Sequence, residues 1–174
     1  ATFLHSKWDG SGEIPFRAVS AGLLDRFGSI NPYEGGNTLR TTGNLNYHYD
    51  TTTGGQLFAN AYGQYYRLDL FTDFTFFLND PVNGDGFAQF DRRAIYGGDL
   101  GFKQRIELLG MPIVGMVGFQ TRVDDVHAKL GTQTLRTPTG TTIDSDALTV
   151  SYSPFVKAEV QPLSWLRLSG GVRG

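Results

Sequence analysis

Three histidines, His5, His48 and His127, are the only imidazoles in the chain, and they lie far apart. Only His127 has carboxylates beside it, Asp124 and Asp125. A metal site needs several ligands converging from one face. Acid–base or nucleophilic catalysis needs an imidazole against a carboxylate or hydroxyl. Asp124, Asp125 and His127 are the one local grouping of that kind, and no nucleophile stands beside them. They read as a solvated rim, so neither a catalytic residue nor a metal ligand is assigned, and the chain is not expected to be an enzyme. Gly84-Asp85-Gly86 lacks the Lys and following helix of a phosphate loop, and no cofactor is implied. Arg92-Arg93, beside a long polar loop, is the pair most suited to gripping an anionic ligand and is the ligand-binding candidate. Asp99, Lys103, Arg105, Glu107, Lys157 and Glu159 belong to a larger charged set that mixes both signs. That set reads first as a cross-strand network of ion pairs and water. It also includes Arg40, Arg67, Asp69, Asp73, Arg93, Arg122, Arg167 and Arg173.

Composition narrows the setting of these residues. A net charge of −2 and a pI near 5.9 supply no basic field for nucleic acid. With no Cys, disulfides and thiolate metal sites are excluded. Mean hydropathy is −0.23, and no apolar run approaches the ~18 residues of a membrane-spanning helix. Aromatics make up 13% of the chain and 23 residues are Gly, a balance that suits an all-β chain of the outer-membrane kind.

Alternation then supplies the elements. From Leu148 to Val160 the even positions are largely apolar (Val150, Tyr152, Val156) and the odd ones largely polar. After a Gln161–Ser164 turn, Leu166, Leu168 and Val172 oppose Arg167, Ser169 and Arg173. Asn37–Tyr49 and Arg93–Glu107 alternate in the same way. In Leu57–Leu78 the apolar parity changes near Tyr65-Tyr66, which predicts a β-bulge. Ile113–Leu130 changes face after Asp124. Ala1–Trp8 reads as a strand end, and Pro15–Phe27 as a short amphipathic helix that starts at Pro15 and stops at Gly28. Long loops are expected at 9–36, 79–92 and 131–145, and short turns at 50–55, 108–112 and 161–164. Seven strands in an up-and-down meander, with long connections at one end and tight turns at the other, fit an antiparallel transmembrane β-barrel. Both chain ends fall inside apparent strands, so a piece of a larger barrel is expected.

Three segments carry a family resemblance. GEIPFRAVSAGLLDRFGSINPYEGGNTLRTTGNLNY, the run from Asn60 to Phe102, and the closing VKAEVQPLSWLRLSGGVRG resemble strand–loop–strand units of TonB-dependent outer-membrane receptors. The resemblance implies a 22-stranded barrel with an N-terminal plug, neither plug nor TonB box being visible here. It further implies a Gram-negative outer membrane and a TonB complex as energising partner. The cargo it implies is a scarce small ligand such as an iron–siderophore complex. Its barrel face would meet outer-membrane lipid, with Val150, Tyr152, Val156 and Leu168 among the lipid-facing residues. The alternatives are a plug-less porin or barrel enzyme and, more distantly, a soluble β-barrel ligand-binding module.

Overall fold

The computed structural model describes residues 1–108 and 110–174. Its strands are β1 (Thr2–Asp9), β2 (Gly35–Asp50), β3 (Gly55–Thr72), β4 (Phe87–Leu108), β5 (Met111–Thr134), β6 (Thr137–Pro138), β7 (Ile143–Leu163) and β8 (Leu166–Arg173). One short helix, α1 (Phe16–Ser20), follows β1. The sheet is antiparallel throughout, in the order β1-β2-β3-β4-β5-β7-β8, with the two-residue β6 folded back on β5. It is open, with β1 and β8 at its edges. Among the described residues no helix is long and apolar enough to cross a membrane.

Several expected boundaries move. The loop expected at 79–92 spans 73–86, because Phe87–Arg92 already pair with β3. Most of 131–145 is also strand: β5 runs to Thr134, β6 returns on it, and β7 begins at Ile143. The Thr-rich sequence there has high strand propensity despite its polarity. The helix stops at Ser20, since Gly22 takes a left-handed φ of 69°. The closing turn shrinks to Ser164-Trp165. Its irregularity is a register shift between Val160 and Leu163, where Pro162 has no amide to give the ladder. Leu109, inside the turn expected at 108–112, lies outside the described residues.

The predicted bulge at Tyr65-Tyr66 is absent. β3 pairs without interruption with β2 from Gly35↔Phe71 to Asp50↔Gln56, and with β4 from Gly55↔Gln104 to Thr72↔Phe87. The face does not change; the chemistry on it does. Directly paired residues share a face, so Leu57, Ala59, Ala61, Gly63 and Tyr65 lie with Leu45, Tyr47 and Tyr49 on one side and with Phe102, Leu100 and Tyr96 on the other. Further up the same face come Arg67 and Asp69 on β3, beside Arg92 on β4. On β5, Val117, Phe119 and Val123 give way to Asp125, His127 and Lys129. On β7, Val156, Tyr152 and Leu148 give way to Asp146 and Asp144. The opposite face inverts at the same height, from Asn60, Asp99, Gln120 and Arg122 to Leu68, Leu70, Val126 and Leu130.

This is a single layer without an interior. Among the described residues Ala88 is the only buried apolar side chain, while Leu45, Leu100, Tyr152 and Val156 are more than half exposed. The exposed apolar side chains run across β1 to β5, β7 and β8, from Phe3 to Val172, a patch far beyond the few hundred Å² usual for a monomer surface. Val150, Tyr152, Val156 and Leu168 are all exposed on it.

On the other face, aromatic rings cover glycines of the neighbouring strand. A Cβ added to Gly101 would strike the Phe58 ring, one on Gly118 the Phe155 ring, and one on Gly97 the Tyr62 hydroxyl. Phe58, Gly101, Gly118 and Phe155 form one continuous row across β3, β4, β5 and β7. The missing Cβ atoms make room for these side chains over the neighbouring strand, a device that fixes strand register.

Candidate functional site

Arg92 and Arg93 do not form one cluster. Neighbours on a strand point to opposite faces, and each guanidinium is already committed. Arg92 Nη2 bonds Asp69 Oδ1 at 2.5 Å, and its Nη1 donates to the Leu68 and Asp91 carbonyls. Asp69, 4% exposed, also accepts from Arg67 Nε and Nη2 at 3.0 and 2.7 Å. Arg93 holds Asp91 through two bonds of 2.7 and 2.5 Å. Arg122 repeats the arrangement with Asp124 at 2.7 Å. Arg and Asp two apart share a strand face, so the spacing itself encodes the pair. Such bidentate pairs hold side chains in place and leave no free fork for an anion. The charged set therefore divides: Arg67 and Asp69 lie on the face of the apolar patch beyond its edge, and Asp73 lies in a loop.

The grouping around His127 also separates. Asp124 is on the opposite face and bound to Arg122. His127 Nδ1 meets Asp146 Oδ1 at 2.6 Å and Nε2 meets Asp144 Oδ1 at 3.5 Å, while Lys129 reaches Asp144 at 3.3 Å. Both ring nitrogens face carboxylates and no hydroxyl contacts either, so the geometry is a ladder of polar contacts between β5 and β7 rather than a nucleophile–base pair. His5 and His48 sit alone on β1 and β2, opposite Leu39 and Phe58. Among the described residues no three His, Cys, Asp or Glu side chains converge as a metal-binding group.

The densest polar organisation is where the three long connections meet. Arg136 Nε and Nη2 donate to the Tyr33 and Glu34 carbonyls, both at 2.8 Å, and its guanidinium lies 5.4 Å from the centre of the Phe71 ring. Gln133, buried, accepts the Arg136 backbone amide through Oε1 at 2.6 Å, and its backbone N–H donates to the Gly86 carbonyl. Thr134 Oγ1 donates to the Asn83 carbonyl, and Asn31 Nδ2 to Asp73 Oδ2 at 3.1 Å. Leu135 and Arg136 form the β5–β6 turn with φ of 52° and 67°, and Phe76 has 57°. Positive φ costs a non-glycine residue roughly 1–2 kcal/mol, so the surrounding bonds must hold these residues there. Ile30, Tyr33, Phe76, Phe77 and Leu135 line a cleft over this knot, with Asp73 at its border.

The acids of the knot fall into two groups. Burial raises the Glu34 carboxyl above its usual range, aided by the Asp73 charge and opposed by the Asp73 amide, which donates to it. Burial likewise raises Asp73, with Asp85 adding repulsion and Asn31 opposing. Asp85 and Asp80 move the other way. Thr75 Oγ1 and the Asn79 and Asp80 amides hold Asp85 low, and the Asn83 and Val82 amides hold Asp80 low. A lowered carboxylate stabilises its loop above its unfolded pKa, and this stabilisation disappears as pH falls through the folded value. The Asn79 and Asp80 amide resonances should therefore shift towards unstructured positions as pH drops below about 3.8, and Asp85→Asn should abolish that titration. An unchanged titration in the variant would show that Asp85 does not hold the loop.

Glu34, Gln133 and Arg136 were not among the residues singled out by sequence. Their signal was faint: a lone Arg in the Thr-rich stretch and an acid directly before Gly35-Gly36. No family model, no curated protein and no solved structure matches the chain.

Proposed function

We propose that the chain forms part of the wall of an outer-membrane β-barrel of the TonB-dependent receptor kind. In this reading it contributes to energised uptake of a scarce small ligand, such as a metal chelate, and catalyses no reaction. The observation that carries it is the apolar face exposed across the whole sheet, bounded at one height by charge on successive strands. Stretches such as Leu148–Val160 are long enough for a tilted strand to span the ~9–11 residues a bilayer requires. Tyr47, Tyr49 and Trp165 at the tight-turn end, with Tyr65, Tyr96 and Tyr152 on the way to the other, suit interfacial belts. The receptor assignment itself, with plug, TonB complex and outer-membrane location, rests on the family-like segments. The polar face would line the lumen and meet the plug.

Nitroxide labels decide the lipid orientation. In the full-length protein in bilayers, labels at Val150, Tyr152, Val156 and Leu168 should be quenched by a lipid-soluble relaxant, and a label at Ser153 should not. Protection of all four apolar positions would overturn the reading.

A further inference from the structure

We propose that the loop knot is a site for a hard divalent cation of the calcium class, bound by Asp73 and Glu34 with Thr72 Oγ1 as a neutral ligand. Asp73 is 6% exposed, and its Oδ1 is buried with no hydrogen-bond donor among the described residues. Asn31 holds Oδ2 and so fixes the carboxylate with Oδ1 uncommitted. Thr72 Oγ1, on the preceding residue, is also buried without a partner. Glu34, 7% exposed, directly precedes the Gly35↔Phe71 pair, so its backbone enters the sheet beside the end of β3 that carries Thr72 and Asp73. The Asp73 charge and amide both act on the Glu34 carboxyl, so the two acids are neighbours.

Among the described residues no cationic side chain answers this charge. Arg136 is the nearest candidate, but its bonds go to backbone carbonyls and its one carboxylate approach, at 3.6 Å, is to Asp9. A buried polar atom without a partner calls for water or an ion, and a pair of buried acids calls for positive charge. The donors are all oxygens, which selects hard cations over zinc or copper. They come from irregular loop ends, which suits the flexible, carbonyl-assisted coordination of Ca²⁺ better than the strict octahedron of Mg²⁺. Only two carboxylates contribute, so the remaining ligands are neutral oxygens and water, and the dissociation constant should be about 10⁻⁴–10⁻³ M. The bound ion would tie the connection before β2 to the one after β3. None of this depends on what covers the apolar face.

The test is Tb³⁺ luminescence on the full-length protein, sensitised by Tyr33 at the cleft. A saturable signal displaced by Ca²⁺ is expected, at least tenfold weaker in binding for Asp73→Asn and unchanged for Asp125→Asn on the remote face. A signal that is absent, does not saturate or survives Asp73→Asn would overturn the site. Amide exchange on the unmodified protein guards against a variant that fails to fold. At neutral pH, Ca²⁺ should slow exchange of the Glu34, Gly35 and Asp73 amides. If these amides respond to acid but not to Ca²⁺, the acids are neutralised by protons and the proposal fails.

Discussion

Arg in place of Val156 is expected to destabilise the membrane-inserted protein by about 2–4 kcal/mol, the cost of a charge near the bilayer midplane on a barrel's lipid face. Val156 lies between Val117 and Val172 in one apolar row and is 55% exposed. On a water-facing surface the same change would stay within about 0.5 kcal/mol. Ser153 is the internal control. It pairs with Gln120 on the polar face, so Ser153→Arg should be nearly neutral there. Reversible urea titration of the full-length protein in liposomes reads both values. A large cost at Val156 with almost none at Ser153 supports lipid contact; equal small costs would mean that water meets both faces.

The second large effect is steric. Gly101→Val should cost about 1–3 kcal/mol, the usual price of forcing extra carbon into a filled space. Phe58 occupies the position the new side chain needs, and the Val117 carbonyl would stand 2.8 Å from its Cβ. If the ring is the main obstacle, Phe58→Ala should offset part of the loss, giving a coupling of about 0.5–3 kcal/mol in a double-mutant cycle. Strict additivity would show that the ring and the glycine are not packed as a unit. Gly63 is a useful comparison, because nothing lies within 4 Å of its added Cβ, and a small side chain there should be tolerated.

Alternation made the meander readable, and the faces of β2, β4 and β7 follow from it. It misleads at Tyr65-Tyr66, where the polarity changes and the side-chain direction does not. Parity reports which side a residue is on only while the surroundings stay constant along the strand. Beyond Tyr65 on β3 and Val123 on β5 the surroundings change, and identical geometry carries opposite chemistry. The boundary errors have a related source: Phe87–Arg92 and Gly131–Thr134 are polar enough to resemble loop but find strand partners. Arg92 and Arg93 were legible as charges but not as the two halves of separate ion pairs. The knot was the least legible part. Arg136 meets the Tyr33 carbonyl across 103 residues, and local pattern holds no trace of such a contact.

The inversion of polarity also bears on how the strands find their alignment. A slip of one residue between neighbours turns every side chain to the wrong side, so alternation forbids it. A slip of two leaves every side chain on its proper side, and alternation cannot detect it. Such a slip between β3 and β4 would carry Arg92 past Arg67 to lie opposite Tyr65, or draw Ala94 up among the charges. The height at which both faces exchange character thus acts as a second index mark, rejecting the even-numbered misalignments that a uniformly two-sided sheet would accept.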